Sequence, residues 1–180
     1  MNTNVNELTT AAALLAICIV SQFFKNTSVF ITGPIINTCL IICVLSCGLP
    51  WAILLSVVTP VTAFLITGAP VMKAIPAIMP FIMAGNVLLA LGVWFFAGKK
   101  KTSVKVLVAG VVGSIVKAVF MALTISYGLL IVTPLPEKMQ PMLPKLQFTY
   151  SAVQLITALI GTVLAAVIWI PLQKAGKNPE

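Results

Sequence analysis

Apolar runs, each ended by a short cluster of Gly, Pro, Asn, Thr or Lys, fill the chain from Thr9 to Leu172. A helix needs roughly 20 mostly apolar residues to cross a bilayer. The runs predict helices over residues 9–24, 35–47, 51–67, 75–97, 104–127 and 148–172. The expected fold is therefore an all-α integral membrane protein, a compact bundle of about six transmembrane helices forming a single domain over residues 1–180. Gly33-Pro34, Gly48-Leu49-Pro50 and Gly68-Ala69-Pro70 mark the breaks. Pro60 falls inside the third run and predicts a kink. Residues 128–145, with Pro134, Pro136, Pro141 and Pro144, lack a helical period and read as a structured lid or surface loop. The polar run Asn2–Glu7 has no basic residues and no small-residue cleavage site follows it, so the first helix is expected to be retained.

Composition sharpens this picture by what it withholds. With 60% hydrophobic and 8% charged residues and a mean hydropathy of +1.14, the chain has too little polar surface to cover a water-soluble globule. Its basic residues are 11 lysines, and its acids are Glu7, Glu137 and Glu180, near ends or loops. Acid–base catalysis, a metal centre or an activated nucleophile each needs several ionisable groups converging, so no enzyme, metal or cofactor is expected. A proton relay through buried carboxylates is equally unexpected. No Gly-rich phosphate loop ending in Gly-Lys-Ser/Thr occurs, so any ATP work falls to a partner.

The net charge of +8 does not point to nucleic acid, because the lysines sit at segment ends and are not interleaved with aromatics on one face. Their bearing is topological. With an even number of spans both termini share a side, which also holds Lys99, Lys100, Lys101, Lys105, Lys174 and Lys177. The other side holds Lys25, Lys73, Lys138 and Lys145. The concentrated triple lysine places both termini in the cytoplasm of a multi-pass cell-membrane protein and the proline-rich segment outside. Cys18, Cys39, Cys43 and Cys47 lie within apolar runs and read as small packing residues, not a disulfide framework.

One charge falls inside a span. Lys117 lies well into the fifth run, roughly 20 Å from its start at 1.5 Å per residue, which is in the outer half of the membrane. An ammonium at that depth costs about 2.5 to 3.5 kcal/mol on insertion scales, and no carboxylate in a span can offset it. The same arithmetic puts Gln22, Asn37 and Thr38 in the outer parts of the first two helices, Asn86 near mid-depth, and Tyr150 and Gln154 in the outer sixth. If these face inward, they form a pocket open to the outside with one fixed positive charge, suited to an anionic or carboxylate-bearing ligand. Gly110, Gly113, Lys117, Met121 and Thr124 share one helix face, as a pocket wall with close backbone approach requires. The competing reading is ordinary: Asn, Gln and Thr bond across helices for about 0.6 kcal/mol each, and Lys117 snorkels to the headgroups. A separate feature is Ala12 and Ala16, one turn apart on the first helix, where small side chains let another helix approach closely.

These features together resemble the substrate-binding S components of energy-coupling factor (ECF) vitamin transporters. The resemblance rests on the alanine-rich first helix, Gly33-Pro34-Ile35-Ile36-Asn37, Thr59-Pro60, the run Pro80 to Asn86, and Lys117 after Gly113, and it extends over essentially the whole chain. The folate- and pantothenate-type group is the nearest in character. The resemblance implies capture of a vitamin or related micronutrient from outside, with Lys117, Asn86, Asn37, Gln154, Thr38 and Tyr150 as the expected substrate-binding residues. It implies docking, through Ala12 and Ala16, on a transmembrane scaffold protein that works with two cytoplasmic ATPases. Folate, pantothenate and other carboxylates fit Lys117 equally well. Two rival functions stand beside this one: a small stand-alone secondary transporter, and a non-transport membrane scaffold subunit whose partner supplies an acid to Lys117.

Overall fold

The computed structural model describes residues 3–24, 28–98 and 101–175. Six helical stretches among them are long and apolar enough to cross a membrane, and no strand is present among the described residues. The spans begin with α1 (Thr3–Gln22), α2 (Val29–Ser46) and α3 (Leu49–Thr67). A short helix, α4 (Pro70–Ala74), precedes α5 (Ile78–Ala97). Helix α6 (Ser103–Met121) runs on through a π-helical stretch, Ala122–Leu129, into the single turn α7 (Leu130–Val132). A 3-10 stretch (Glu137–Met142), α8 (Leu143–Tyr150) and α9 (Ala152–Ala175) complete the chain. The chain is an all-α membrane bundle, with Thr3 and Ala175 at one end, here the termini end.

Local chemistry explains where the helices start and stop. Helix α2 begins at Val29, six residues before the expected start, because Ser28 is extended and its hydroxyl accepts the Phe30 N–H at 3.2 Å. Pro34 is accommodated inside the helix. Helix α3 ends where Gly68 takes a left-handed conformation, φ 58°, and returns its N–H to the Phe64 carbonyl. Pro76 lies in the connection between α4 and α5, not in the first turn of a span.

The largest departure from the sequence reading is in residues 128–145. This stretch carries the end of the π-helical segment, α7, the 3-10 turns and the start of α8. Its order comes from tertiary burial: Leu130 and Leu135 are buried with Val71, Met72, Ile75 and Ile78, while Met139, Leu143 and Leu146 pack against that cluster. The four prolines hide the helical period without preventing short helices, since Pro134 and Pro136 precede the 3-10 stretch, Pro141 lies within it and Pro144 sits in the first turn of α8.

Small residues set the helix spacing. A Cβ at Gly161 of α9 would lie 2.7 Å from the Cβ of Asn37 and 2.8 Å from the Pro34 carbonyl oxygen, so α2 and α9 touch backbone to backbone. Gly92 and Gly113 do the same for α5 and α6, a Cβ at Gly92 falling 2.7 Å from the Cα of Gly113. Towards the termini end the core is continuous and apolar, with the four cysteines, Leu40, Ile41, Leu89, Val93 and Val106 buried in it. The cysteines are free thiols. Lys101 closes this end: its Nζ donates to the Leu45 carbonyl at 2.6 Å, and its own carbonyl accepts from Trp169 Nε1 and Gln173 Nε2. Lys105 and Lys174 share this end, while Lys73, Lys138 and Lys145 lie at the opposite one. Lys25, Lys99, Lys100 and Lys177, part of the expected charge bias, lie outside the described residues.

Candidate functional site

At the end opposite the termini the apolar core gives way to a cavity holding about 720 Å³ of empty space, counting the part open to the exterior. Helices α2, α3, α5, α6 and α9 wall it, α4 contributes Met72, and Thr149 and Tyr150 at the end of α8 reach it. The break between α8 and α9 falls at Ser151, whose hydroxyl donates to the Gln147 carbonyl at 2.6 Å. Helix α8 is fastened to the π-helical stretch by a reciprocal pair. Ser126 Oγ donates to the Gln147 carbonyl at 2.9 Å, and Gln147 Nε2 donates to the Ser126 carbonyl at 3.1 Å.

Lys117 forms part of the chamber wall and is 3% exposed. Its side chain does not snorkel to an interface. Nζ donates to Asn37 Oδ1 of α2 at 2.7 Å and to Asn86 Oδ1 of α5 at 2.8 Å. The orientation of Asn86 has a backbone cause. Pro60 has no N–H, which leaves the Ser56 carbonyl of α3 without its helical donor. Asn86 Nδ2 approaches that oxygen at 3.5 Å, which leaves its Oδ1 for Lys117. Charge, amides and the carbonyl freed by Pro60 thus form one connected set across α2, α3, α5 and α6.

A family model, the ECF transporter substrate-specific component, matches residues 6–173. The chain belongs to that family. It is an S component, the substrate-binding part of a membrane transporter and, at the level of the family, not an enzyme. The match reaches the family and not a folate- or pantothenate-type group within it. No curated protein and no solved structure matches the S component at a significant level.

The other residues expected at the site are placed unevenly in this S component. Tyr150 is buried and Gln154 half-buried, and both line the chamber. Gln154 Nε2 lies 3.4 Å from the Thr149 carbonyl. Thr38 is not among the lining residues. Its hydroxyl lies 2.8 Å from the Pro34 carbonyl and 3.1 Å from that of Gly161, joining α2 to α9 behind the chamber wall. Gln22 is fully buried beside the site, with Nε2 donating to the Thr59 carbonyl at 3.0 Å.

Ala12 and Ala16 are exposed on α1. Ala12 lies in an apolar groove with Leu8, Leu15, Trp51 and Leu54, and Ala16 in a second with Val20, Phe24 and Ile31. Lining residues that the sequence reading did not single out include Thr32, Met72, Ile82 and Thr149. Thr59-Pro60 was the available signal for the α3 wall, since a Pro inside a span needs neighbours to satisfy the carbonyl it frees.

Proposed function

We propose that this S component captures a small vitamin or related micronutrient, carboxylate-bearing, from outside the cell in the chamber around Lys117. It then delivers the ligand by docking on a transmembrane scaffold protein that works with two cytoplasmic ATPases. The observation that carries the proposal is the buried ammonium of Lys117, held by two neutral amide oxygens and by no acid among the described residues. Burying an unpaired cation is costly, and a bound anion offsets that cost with a charge-assisted hydrogen bond. Both termini face the cytoplasm in this reading, which rests on the lysine count of the whole sequence.

The test is mass spectrometry of the small molecule retained by the protein purified in mild detergent. A stoichiometric micronutrient acid is the expected result. An empty protein that binds no member of a micronutrient panel would sink the proposal. For the docking step, Ala12→Trp and Ala16→Trp should abolish pull-down of the scaffold protein while leaving ligand binding unchanged. Retained pull-down removes α1 from the docking surface.

A further inference from the structure

We infer that the chamber selects a ligand whose only charge is one carboxylate, on an otherwise uncharged and largely apolar body. In this scheme Asn37 donates to that carboxylate beside Lys117, and Asn86 is a positioning residue. The inference deepens the proposed function and rests on it.

The donor count leads to these roles. An ammonium has three N–H donors. Two of those on Lys117 are committed to Asn37 Oδ1 and Asn86 Oδ1, leaving one. Because Asn37 accepts from Lys117 through Oδ1, its NH2 group is the free end of the same amide. That group finds no acceptor among the described residues, and Asn37 lines the cavity. One Lys117 N–H and the Asn37 NH2 therefore stand as neighbouring donors, and a carboxylate offers two oxygens to such a pair. Asn86 differs, since its NH2 is turned towards the Ser56 carbonyl and only its Oδ1 is used, on Lys117. It aims the ammonium without presenting a donor of its own.

The rest of the wall sets the exclusion. Ile36, Pro60, Ala63, Met72 and Ile82 are apolar, and among the described residues the remaining polar lining groups are neutral and no Asp or Glu lines the cavity. A ligand ammonium would be desolvated without a partner and repelled by Lys117. A second carboxylate would be desolvated with no second cation among the described lining residues to meet it. Unpaired buried charge is a stronger discriminator than shape, because its cost is not relieved by small shifts of the wall.

The probes are four compounds with the same six-carbon chain: hexanoate, hexanamide, 6-aminohexanoate and hexanedioate. Binding is read as the concentration-dependent rise in the unfolding temperature of the detergent-purified protein. Hexanoate is expected to bind at least about tenfold more tightly than each of the others, the scale of one charge-assisted hydrogen bond. Asn37→Asp and Asn86→Asp change little in shape, and both place an acid against Lys117. Asn86→Asp should bring the hexanoate-to-hexanamide preference close to one. Asn37→Asp should do so and also remove detectable hexanoate binding, since the donor is gone.

Equal binding of 6-aminohexanoate or hexanedioate, no binding of hexanoate, or an unchanged acid preference in both variants would overturn the inference. A co-purifying molecule with an ammonium or a second acid group would also overturn it while leaving capture standing. An empty protein counts against capture itself.

Discussion

The two halves of α2 show how one helix serves two different environments. From Leu40 to Leu45 every residue is buried, in one apolar cluster with Cys18, Leu89, Val93 and Ala165. From Val29 to Thr38 the helix has both exposed residues, Phe30 and Ile31, and buried polar ones, Thr32, Asn37 and Thr38, and the neighbouring space is a cavity. The first half gains from close apolar packing. The second half still touches α9 closely at Pro34 and Asn37, but on the cavity side it carries a connected set of amides and one ammonium, which satisfy one another and leave donors for a ligand. Helix α6 divides the same way, with Ala109, Gly110 and Gly113 packed tightly and Lys117 four residues beyond.

Substitutions in the two halves should separate binding from stability. The largest effect expected is on ligand affinity: Lys117→Ala should weaken binding of the co-purifying ligand by tenfold or more, as loss of about 1.5 to 3 kcal/mol implies. Unchanged affinity in a titration would remove Lys117 from the site. Gly113→Val should cost about 1 to 3 kcal/mol of stability, because its Cβ would meet the Leu89 carbonyl oxygen at 2.9 Å. A thermal unfolding scan in detergent reads this, and an unaltered transition would mean that α5 and α6 can separate freely. Lys101→Ala should lower stability by about 0.5 to 1.5 kcal/mol through loss of its bond to the Leu45 carbonyl, with affinity unchanged. Weakened binding in that variant would show that the two ends are coupled. The smallest expected effect comes from Gln147→Leu, which removes one bond of the reciprocal pair with Ser126 and should speed ligand release a few-fold at constant association rate. An unaltered release rate would show that α8 does not limit exit.

The helices were legible because runs of apolar residues long enough to span a bilayer have few other uses. Lys117 was legible for the complementary reason, as the one charge inside a span. Counting residues by helical rise put Asn37 and Asn86 within reach of it. The same counting misjudged Thr38, because depth along a helix says nothing about azimuth. One residue on from Asn37 the helix turns by about 100°, which points Thr38 at Gly161 and away from the chamber. The stretch 128–145 was illegible as helix since its order depends on contacts with α4 and α5, distant in sequence, that no local pattern encodes. The role of Pro60 was visible only as a kink. That its freed carbonyl lies opposite Asn86 is a fact of assembly between two helices.

All four native thiols are buried, Cys18 and Cys43 completely. The protein therefore comes with a chemically quiet background for maleimide labelling in intact cells. A single cysteine introduced at exposed Lys138, or at exposed Lys105 on the opposite end, would stand out against it. Reaction of the first and not the second with a membrane-impermeant reagent would show which face of the molecule meets the world outside.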